Sequence, residues 1–89
     1  MVWRLEFKRK ALNQLEALEP IARVRILEHF RERVIPLVNP RQQGAALQGK
    51  KYEGLWRYRV GDYRIIAEIK DGEVTILVIE IGHRRDVYR

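Results

Sequence analysis

Two short turn signals in the last third of the chain constrain its fold more than any other feature. Gly61-Asp62 and Asp71-Gly72 each separate runs in which apolar and polar residues alternate. A glycine next to an aspartate is favoured in two-residue hairpin turns. Three strands joined by such turns form an antiparallel meander. The predicted strands are Leu55–Val60, Tyr63–Ile69 and Val74–Ile81.

Two-residue turns also predict which residues face each other, because the turn length fixes the register. Across the first turn the predicted pairs are Val60–Tyr63, Arg59–Arg64 and Arg57–Ile66. Across the second turn they are Lys70–Glu73, Ile65–Val78 and Tyr63–Glu80. This register sorts the side chains of the meander onto two faces with different chemistry.

One face of the predicted sheet is almost entirely apolar and is expected to pack under helices. Its members are Trp56, Tyr58, Val60, Tyr63, Ile65, Ala67, Ile69, Val74, Ile76 and Val78. The other face is mixed, and its basic residues gather toward the Gly61-Asp62 turn. These basic residues are Arg57, Arg59 and Arg64.

Apolar residues recur at helical spacing before the meander. The first predicted helix carries Ala11, Leu12, Leu15 and Leu18, and Pro20 separates it from the second. The second carries Val24, Leu27, Phe30 and Val34, with Ile21 at its start. A strand over Val2–Phe7 precedes the helices, and a loop or short strand around Leu47 follows them.

These elements predict an α+β fold in a single domain over residues 1–89. An N-terminal strand and a two-helix hairpin precede the antiparallel three-stranded meander. We expect a twisted sheet with the helices on one face, since each helix has one apolar stripe to bury.

The predicted pairing of Arg59 with Arg64 needs an explanation beyond folding. Like charges directly across a strand pair destabilise a sheet. The segment Gly82-His83-Arg84-Arg85, with Tyr88 behind it, is predicted to leave the last strand at the same end. Several guanidinium groups at one place form a phosphate-binding site. The alternative is that solvent and neighbouring carboxylates neutralise the arginines, the candidates being Asp62, Glu68 and Asp86.

Charge and composition narrow the possible partners. The formal net charge is +6 and the pI is near 10.1, which favours an anionic partner. No apolar run approaches the ~20 residues of a membrane span, and no helix has a lysine-rich amphipathic pattern, so a membrane role is not expected. The absence of cysteine and of an apolar N-terminal run favours the cytoplasm over secretion.

Two motifs carry a resemblance to a known family. The run LWRYRVGDYRII at residues 55–66 resembles the most recognisable segment of RelE-type toxins, and IGHRRDVY at residues 81–88 resembles their ending. The chain thus looks like a type II toxin of the RelE/ParE superfamily, in its RelE-type branch. The resemblance implies an endoribonuclease without metal or cofactor, which cuts messenger RNA in the ribosomal A site. It also implies a cognate antitoxin as partner.

The resemblance suggests roles for individual residues. The 2′-hydroxyl attacks the adjacent phosphate, and Arg64 resembles the cation that stabilises the transition state. Arg84 resembles a residue that assists the leaving group, and Tyr88 one that stacks on or orients a base. Arg57 and Arg59 resemble a basic pair that is lysine in the best-known members. These five form the predicted catalytic set.

Further residues are predicted to contact RNA, namely Lys50, Lys51, His83 and Arg85. Arginine has a pKa too high to act as a base. We therefore consider His83, Lys50 and Lys51 as candidates for proton transfer. No metal-binding residues are predicted.

Two other functions fit the same resemblance. A ParE-like toxin shares the fold and poisons DNA gyrase without cutting RNA, so its expression would damage DNA rather than halt translation. A catalytically inactive module would bind RNA or an antitoxin without arresting growth. The clustered arginines and the tail favour the ribonuclease.

Overall fold

The structure is a computed structural model that describes residues 3–83. Within that range the strands are β1 (Arg4–Phe7), β2 (Ala45–Ala46), β3 (Leu55–Val60), β4 (Tyr63–Lys70) and β5 (Thr75–His83). The helices are α1 (Arg9–Ala17) and α2 (Pro20–His29), and a π-helical turn, Phe30–Val34, continues α2. Short 3₁₀ turns occupy Pro40–Gln43, Lys50–Tyr52 and Asp71–Glu73. No helix in this part of the chain is long and apolar enough to cross a membrane.

The strands form one sheet in the order β1-β5-β4-β3-β2, and the α+β class is confirmed. The three-stranded meander is antiparallel as predicted, and β1 joins the sheet parallel to β5. β2 is a two-residue strand at Ala45–Ala46, just before the position expected around Leu47.

The core lies between the helices and one face of the sheet. The helices contribute Ala11, Leu15, Ile26, Phe30 and Val34, all at most 4% exposed. The sheet face is the predicted apolar one. Its buried members are Tyr58, Ile65, Ala67, Ile69, Ile76 and Val78, with Trp56, Val60, Tyr63 and Val74 packed against them.

The predicted apolar stripe of the second helix is wrong in its first half. Ile21 is 70% exposed and Val24 is 49% exposed, whereas Ile26 is fully buried. The buried residues Ile26, Phe30 and Val34 are spaced four apart, a spacing that places side chains on one side of a helix. At 3.6 residues per turn, Ile21 and Val24 lie about 140° and about 160° around α2 from the buried Ile26, so they face away from the core.

The first hairpin has the predicted register. Gly61 has a φ of 58°, a left-handed conformation that glycine adopts without strain. The pairs are Val60–Tyr63, Arg59–Arg64 and Arg57–Ile66. The arginine pair predicted from the sequence is therefore present.

The second hairpin differs from its prediction. Lys70 pairs with Thr75 rather than with Glu73, so the connection is a four-residue loop. A 3₁₀ turn occupies Asp71–Glu73, and Val74 follows with φ 50° and ψ 47°. The Val74 carbonyl accepts a hydrogen bond from the Arg4 amide at 2.8 Å. Docking of β1 onto this loop thus prevails over the local preference of Asp71-Gly72 for a tight turn.

A β-bulge shifts the register of β5 further. Ala67 pairs with Val78 and Ile66 with Glu80, so Ile79 is the extra residue. As a result, Ile65 faces Ile81 instead of Val78, and Tyr63 faces His83 instead of Glu80. The bulge brings Ile81 into the core.

Candidate functional site

Three arginines share the sheet face that is turned away from the helices. Arg57 and Arg59 flank Tyr58 on β3, and Arg64 precedes Ile65 on β4. Because Tyr58 and Ile65 point into the core, the alternation of side chains places the arginines on the opposite face. Arg59 and Arg64 are direct partners across the strands, with Cβ atoms about 4.5–5.5 Å apart. The sheet therefore concentrates positive charge beside the first turn.

Arg64 is held firmly in this arrangement. It is only 6% exposed. Its Nη1 donates a hydrogen bond to the Tyr63 carbonyl at 3.3 Å. On β5 it faces Gly82, which has no side chain to occupy the neighbouring position. A guanidinium group constrained in this way can act as a fixed cation, since its orientation costs little on binding.

The other two arginines differ in exposure. Arg59 is exposed and Arg57 is half-buried. The ion pairs found between residues 3 and 83 are Lys10–Glu80 at 3.4 Å and Arg41–Asp71 at 2.6 Å, and neither involves Arg57 or Arg59. Within residues 3–83, neither Asp62 nor Glu68 forms an ion pair with these two side chains, and Asp86 lies outside the described residues.

The lysines predicted to bind RNA lie elsewhere. Lys50 and Lys51 are exposed residues of the 3₁₀ turn that leads into β3. Arg59 is at the other end of β3, and a strand of this length spans roughly 17 Å. The structure therefore separates the lysines from Arg59 and its strand partner Arg64.

His83 is near the arginines in the chain but faces the other way. It pairs with Tyr63 at the end of β5, and the two rings meet edge to face with centroids 6.1 Å apart. Tyr63 packs against the core, so His83 lies on the helix side of the sheet while Arg64 lies on the other side. The remaining predicted site residues, Arg84, Arg85 and Tyr88, lie outside the described residues.

A cleft opens at the edge of β3 beside the arginines. It has a volume of about 220 Å³, and its lining residues are His29, Gln43, Gly44, Ala45, Arg57 and Arg59. His29 and Gln43 are not predicted from the sequence. No sequence pattern marks them, because only the folded chain brings the end of α2 to the edge of β3.

Two nitrogen atoms of this cleft's residues have no hydrogen-bond partner. They are His29 Nε2 and Arg57 Nε, and they are the buried side-chain polar atoms without a partner in the described part of the chain. Leaving a buried donor unpaired costs about 1–3 kcal/mol. Burial, and then the charge of Arg33, lower the pKa of His29, so its imidazole is neutral at pH 7.

We expect the stability of the protein to fall as the pH drops below about 6.5, the pKa of histidine in an unfolded chain. The pKa of folded His29 is lower, so between the two values the unfolded chain binds more protons and gains in free energy. Urea denaturation near pH 7.5 and near pH 5.5 measures the change. The variant His29→Gln should lose less stability between the two pH values, and an equal loss in both proteins would contradict the prediction.

The segment from Pro40 to Gly44, which ends in the wall of the cleft, is fixed to β3. The hydroxyl of the buried Tyr58 donates a hydrogen bond to the Pro40 carbonyl at 2.9 Å. Burial raises the pKa of Tyr58 to about 12, so this hydroxyl keeps its proton. At the end of the same turn, a Cβ on Gly44 would lie 3.1 Å from the Arg57 carbonyl oxygen and from the Tyr58 ring. The backbone therefore approaches β3 closely.

A second connection joins the Pro40–Gln43 turn to the loop between β4 and β5. Arg41 forms two hydrogen bonds with the Asp71 carboxylate, at 3.2 and 2.6 Å, and these hold the pKa of Asp71 below its usual range. The Arg41 guanidinium also lies over the Trp56 ring, 5.7 Å from its centroid.

Replacing Tyr58 with phenylalanine is expected to destabilise the fold by about 1–3 kcal/mol. The substitution keeps the ring but leaves the Pro40 carbonyl without its donor. Chemical denaturation gives the free energy of unfolding. The variant Tyr52→Phe is a suitable control because Tyr52 is less buried than Tyr58. A loss no larger than that of the control would show that the hydrogen bond contributes nothing.

No group of three histidine, aspartate or glutamate side chains within residues 3–83 is arranged to hold a metal ion. The guanidinium groups of Arg57, Arg59 and Arg64 offer binding and stabilisation of anions.

Solved structures with the same fold include toxins of toxin–antitoxin pairs. The toxin–antitoxin complex RelBE2 from Mycobacterium tuberculosis matches with a TM-score of 0.83 at 23% identity, over 97% of this chain and 95% of that chain. The RelE–RelB complex from Pyrococcus horikoshii OT3 matches with a TM-score of 0.73 at 25% identity, over 98% and 100%. The isolated RelE toxin of E. coli gives 0.62 at 21% identity, over 97% and 90%.

The fold and the basic sheet face thus define a small protein of the RelE/ParE superfamily of type II toxins. The family model described as "ParE toxin of type II toxin-antitoxin system, parDE" matches residues 5–88, and the chain belongs to this family. No curated protein sequence matches the chain.

Proposed function

We propose that this toxin is a ribosome-dependent endoribonuclease that cuts messenger RNA in the A site and so halts translation in the cytoplasm. The observation that carries the proposal is the pairing of Arg59 with Arg64 beside Arg57 on one sheet face. Folding alone does not require two like charges to face each other across neighbouring strands, a pairing that destabilises a sheet. A transferring phosphate, which carries negative charge on several oxygens, does benefit from it.

The reaction needs no covalent intermediate on the protein. The 2′-hydroxyl oxygen forms a bond to the adjacent phosphorus, the bond to the 5′-oxygen breaks, and a 2′,3′-cyclic phosphate and a 5′-hydroxyl result. Arg64, fixed in the sheet, is suited to stabilise the charge of the pentacovalent transition state. Arg57 and Arg59 contribute further positive charge from β3. Arg84 and Tyr88 are proposed to assist the leaving group and to orient a base.

The partner in this proposal is a cognate antitoxin. Two of the structural matches are complexes of a toxin with a RelB-type antitoxin or its equivalent. The net charge of +6 suits an acidic segment that folds on binding and covers the basic face. Covering that face would remove the arginines from RNA, which accounts for neutralisation by binding alone.

The proposal is tested by incubating the purified protein with a defined messenger RNA, with and without programmed ribosomes, and mapping the new 5′ ends by primer extension. Cuts that appear only with ribosomes and fall within the A-site codon support it. Absence of cutting by a folded protein under both conditions contradicts it.

A second candidate function follows from the family model, which is named for ParE. ParE-like toxins poison DNA gyrase. Supercoiling reactions with purified gyrase distinguish the two candidates, since a poison accumulates cleaved DNA and a ribonuclease leaves the reaction unchanged. A protein that does neither, yet binds its antitoxin, is an inactive binding module.

A further inference from the structure

The extra residue in β5 determines which side chain lies beside Arg64. With the bulge at Ile79, Arg64 faces Gly82, and Ile81 points into the core. A regular strand would instead pair Arg64 with Ile81, because a shift by one residue moves every later side chain to the other face. An isoleucine would then occupy the place next to the guanidinium group. The surroundings of Arg64 therefore depend on the bulge.

The bulged part of β5 is also an edge of the sheet. β1 pairs with β5 only as far as Phe7 and Val78, so the segment that follows has a partner strand on one side, β4. A bulge interrupts the ladder of backbone hydrogen bonds as well. A segment with both features needs other contacts to hold it in one position.

Two side chains of α1 contact consecutive residues of this segment. Gln14 Oε1 accepts a hydrogen bond from the Ile81 amide at 2.7 Å, and Lys10 Nζ lies 3.4 Å from Glu80 Oε1. Residues four apart, such as Lys10 and Gln14, are neighbours on a helix surface. The Lys10 side chain is 65% exposed, and ion pairs in water contribute little. The half-buried Gln14 therefore makes the more important of the two contacts.

The packing of α1 does not explain a glutamine at position 14. Gln14 borders the buried stripe of the helix, about 60° around its axis from the fully buried Ala11. An apolar side chain would extend the stripe, and a solvated polar one would end it. Gln14 does neither, because it is half-buried and bonded to the backbone of another element. Its amide oxygen supplies the acceptor that the Ile81 N–H would otherwise lack.

We propose that Gln14 is a positioning residue for the ribonuclease site. Its hydrogen bond to the Ile81 amide fixes the bulge in β5, and the fixed bulge keeps Gly82 opposite Arg64. Gln14 acts from the helix side of the sheet and does not contact RNA. A displacement of about 1 Å in a catalytic group can slow a reaction as much as about a hundredfold, so a distant hydrogen bond can affect the rate. The inference rests on the proposed ribonuclease function.

Replacing Gln14 with leucine tests the inference, because leucine lacks the acceptor and has a similar size. Cleavage is measured at increasing concentrations of programmed ribosomes, which separates the rate at saturation from the half-saturating concentration. We expect the rate at saturation to fall about tenfold. The half-saturating concentration should change less than about twofold, since no residue proposed to contact RNA is altered. Gln14→Glu keeps an acceptor oxygen and should cut within about threefold of the wild type.

Thr75→Val is the matched control for loss of stability. The Thr75 hydroxyl donates a hydrogen bond to the Glu73 carbonyl at 3.0 Å, so this variant also removes a hydrogen bond that involves β5. Thr75 is 2% exposed and lies at the start of the strand, roughly 20 Å from Ile81. Urea denaturation shows whether both variants are folded under the assay conditions. Thr75→Val should cut normally. A loss of activity equal to that of Gln14→Leu would overturn the inference.

An NMR measurement tests the positioning of Arg64 without a substrate. The Nε–H signal of Arg64 should shift in Gln14→Leu and stay in place in Thr75→Val. Both the shift and the slower cleavage are required, and the absence of either in a protein that cuts overturns the inference while the ribonuclease function stands. If the wild type does not cut, the ribonuclease function fails, and the NMR signal alone shows whether Gln14 positions Arg64. Should Gln14→Leu not fold, Gln14→Asn replaces it, because its side chain is one methylene too short to reach Ile81.

Discussion

Replacing Arg64 with alanine is expected to reduce the rate of messenger RNA cleavage at least about a hundredfold, the loss that follows removal of one preorganised group that stabilises transition-state charge. Arg64 is the most buried of the three arginines and is held between Arg59 and Gly82. Primer extension on programmed ribosomes measures the rate.

Two variants accompany this experiment. Arg64→Lys keeps the positive charge but loses the planar fork of donors, so its activity should fall between the wild type and the alanine variant. Arg31→Ala removes an exposed arginine of the π-helical turn, which is not a sheet residue, and should cut normally. Undiminished cutting by a folded Arg64→Ala protein would show that the reaction does not take place on this face.

Replacing Phe30 with alanine is expected to lower the free energy of unfolding by about 3–5 kcal/mol, the usual cost of emptying an aromatic site in a core. Phe30 is fully buried, and its ring meets the Tyr58 ring edge to face with centroids 5.0 Å apart. A small domain has a total stability of about 5–15 kcal/mol, so the variant should be close to unfolding. Urea denaturation at neutral pH gives the loss.

The matched control for this substitution is Val38→Ala. Val38 is 91% exposed, and surface changes of this kind alter stability by about 0.5 kcal/mol or less. Phe30→Leu retains much of the apolar volume and should lose less than Phe30→Ala. If Phe30→Ala and Val38→Ala cost the same, the helices do not pack on the sheet as described.

The part of the site that the sequence predicts, the pairing of Arg59 with Arg64, depends on a local turn. Gly61 determines the first hairpin by its left-handed conformation, and the pairing of Arg59 with Arg64 follows from that turn alone. The sequence pattern of alternation then assigns both arginines to the face away from the helices. Two adjacent residues thus contain enough information to predict the basic cluster.

The second hairpin, the β-bulge and the position of His29 could not be predicted from the sequence, because contacts between residues far apart in the chain determine them. The second hairpin lengthens where Arg4 binds the Val74 carbonyl, and a bulge at Ile79 shifts β5 further. Neither leaves a local signal in the sequence. The position of His29 depends on how the end of α2 packs against β3. The exposure of Ile21 and Val24 shows that the apolar pattern of the sequence predicts the wrong buried side for the first half of this helix.

The parallel pairing of β1 with β5 affects when the toxin can become active during its own synthesis. β1 is made first, but its hydrogen-bonding partner, Thr75 to Val78, emerges from the ribosome after nearly all of the other elements. Contacts between residues so far apart in the chain form late in folding. The sheet that carries the arginines therefore cannot be completed before β5 has been synthesised. An antitoxin already present in the cell can then meet each new toxin molecule as it first completes its sheet.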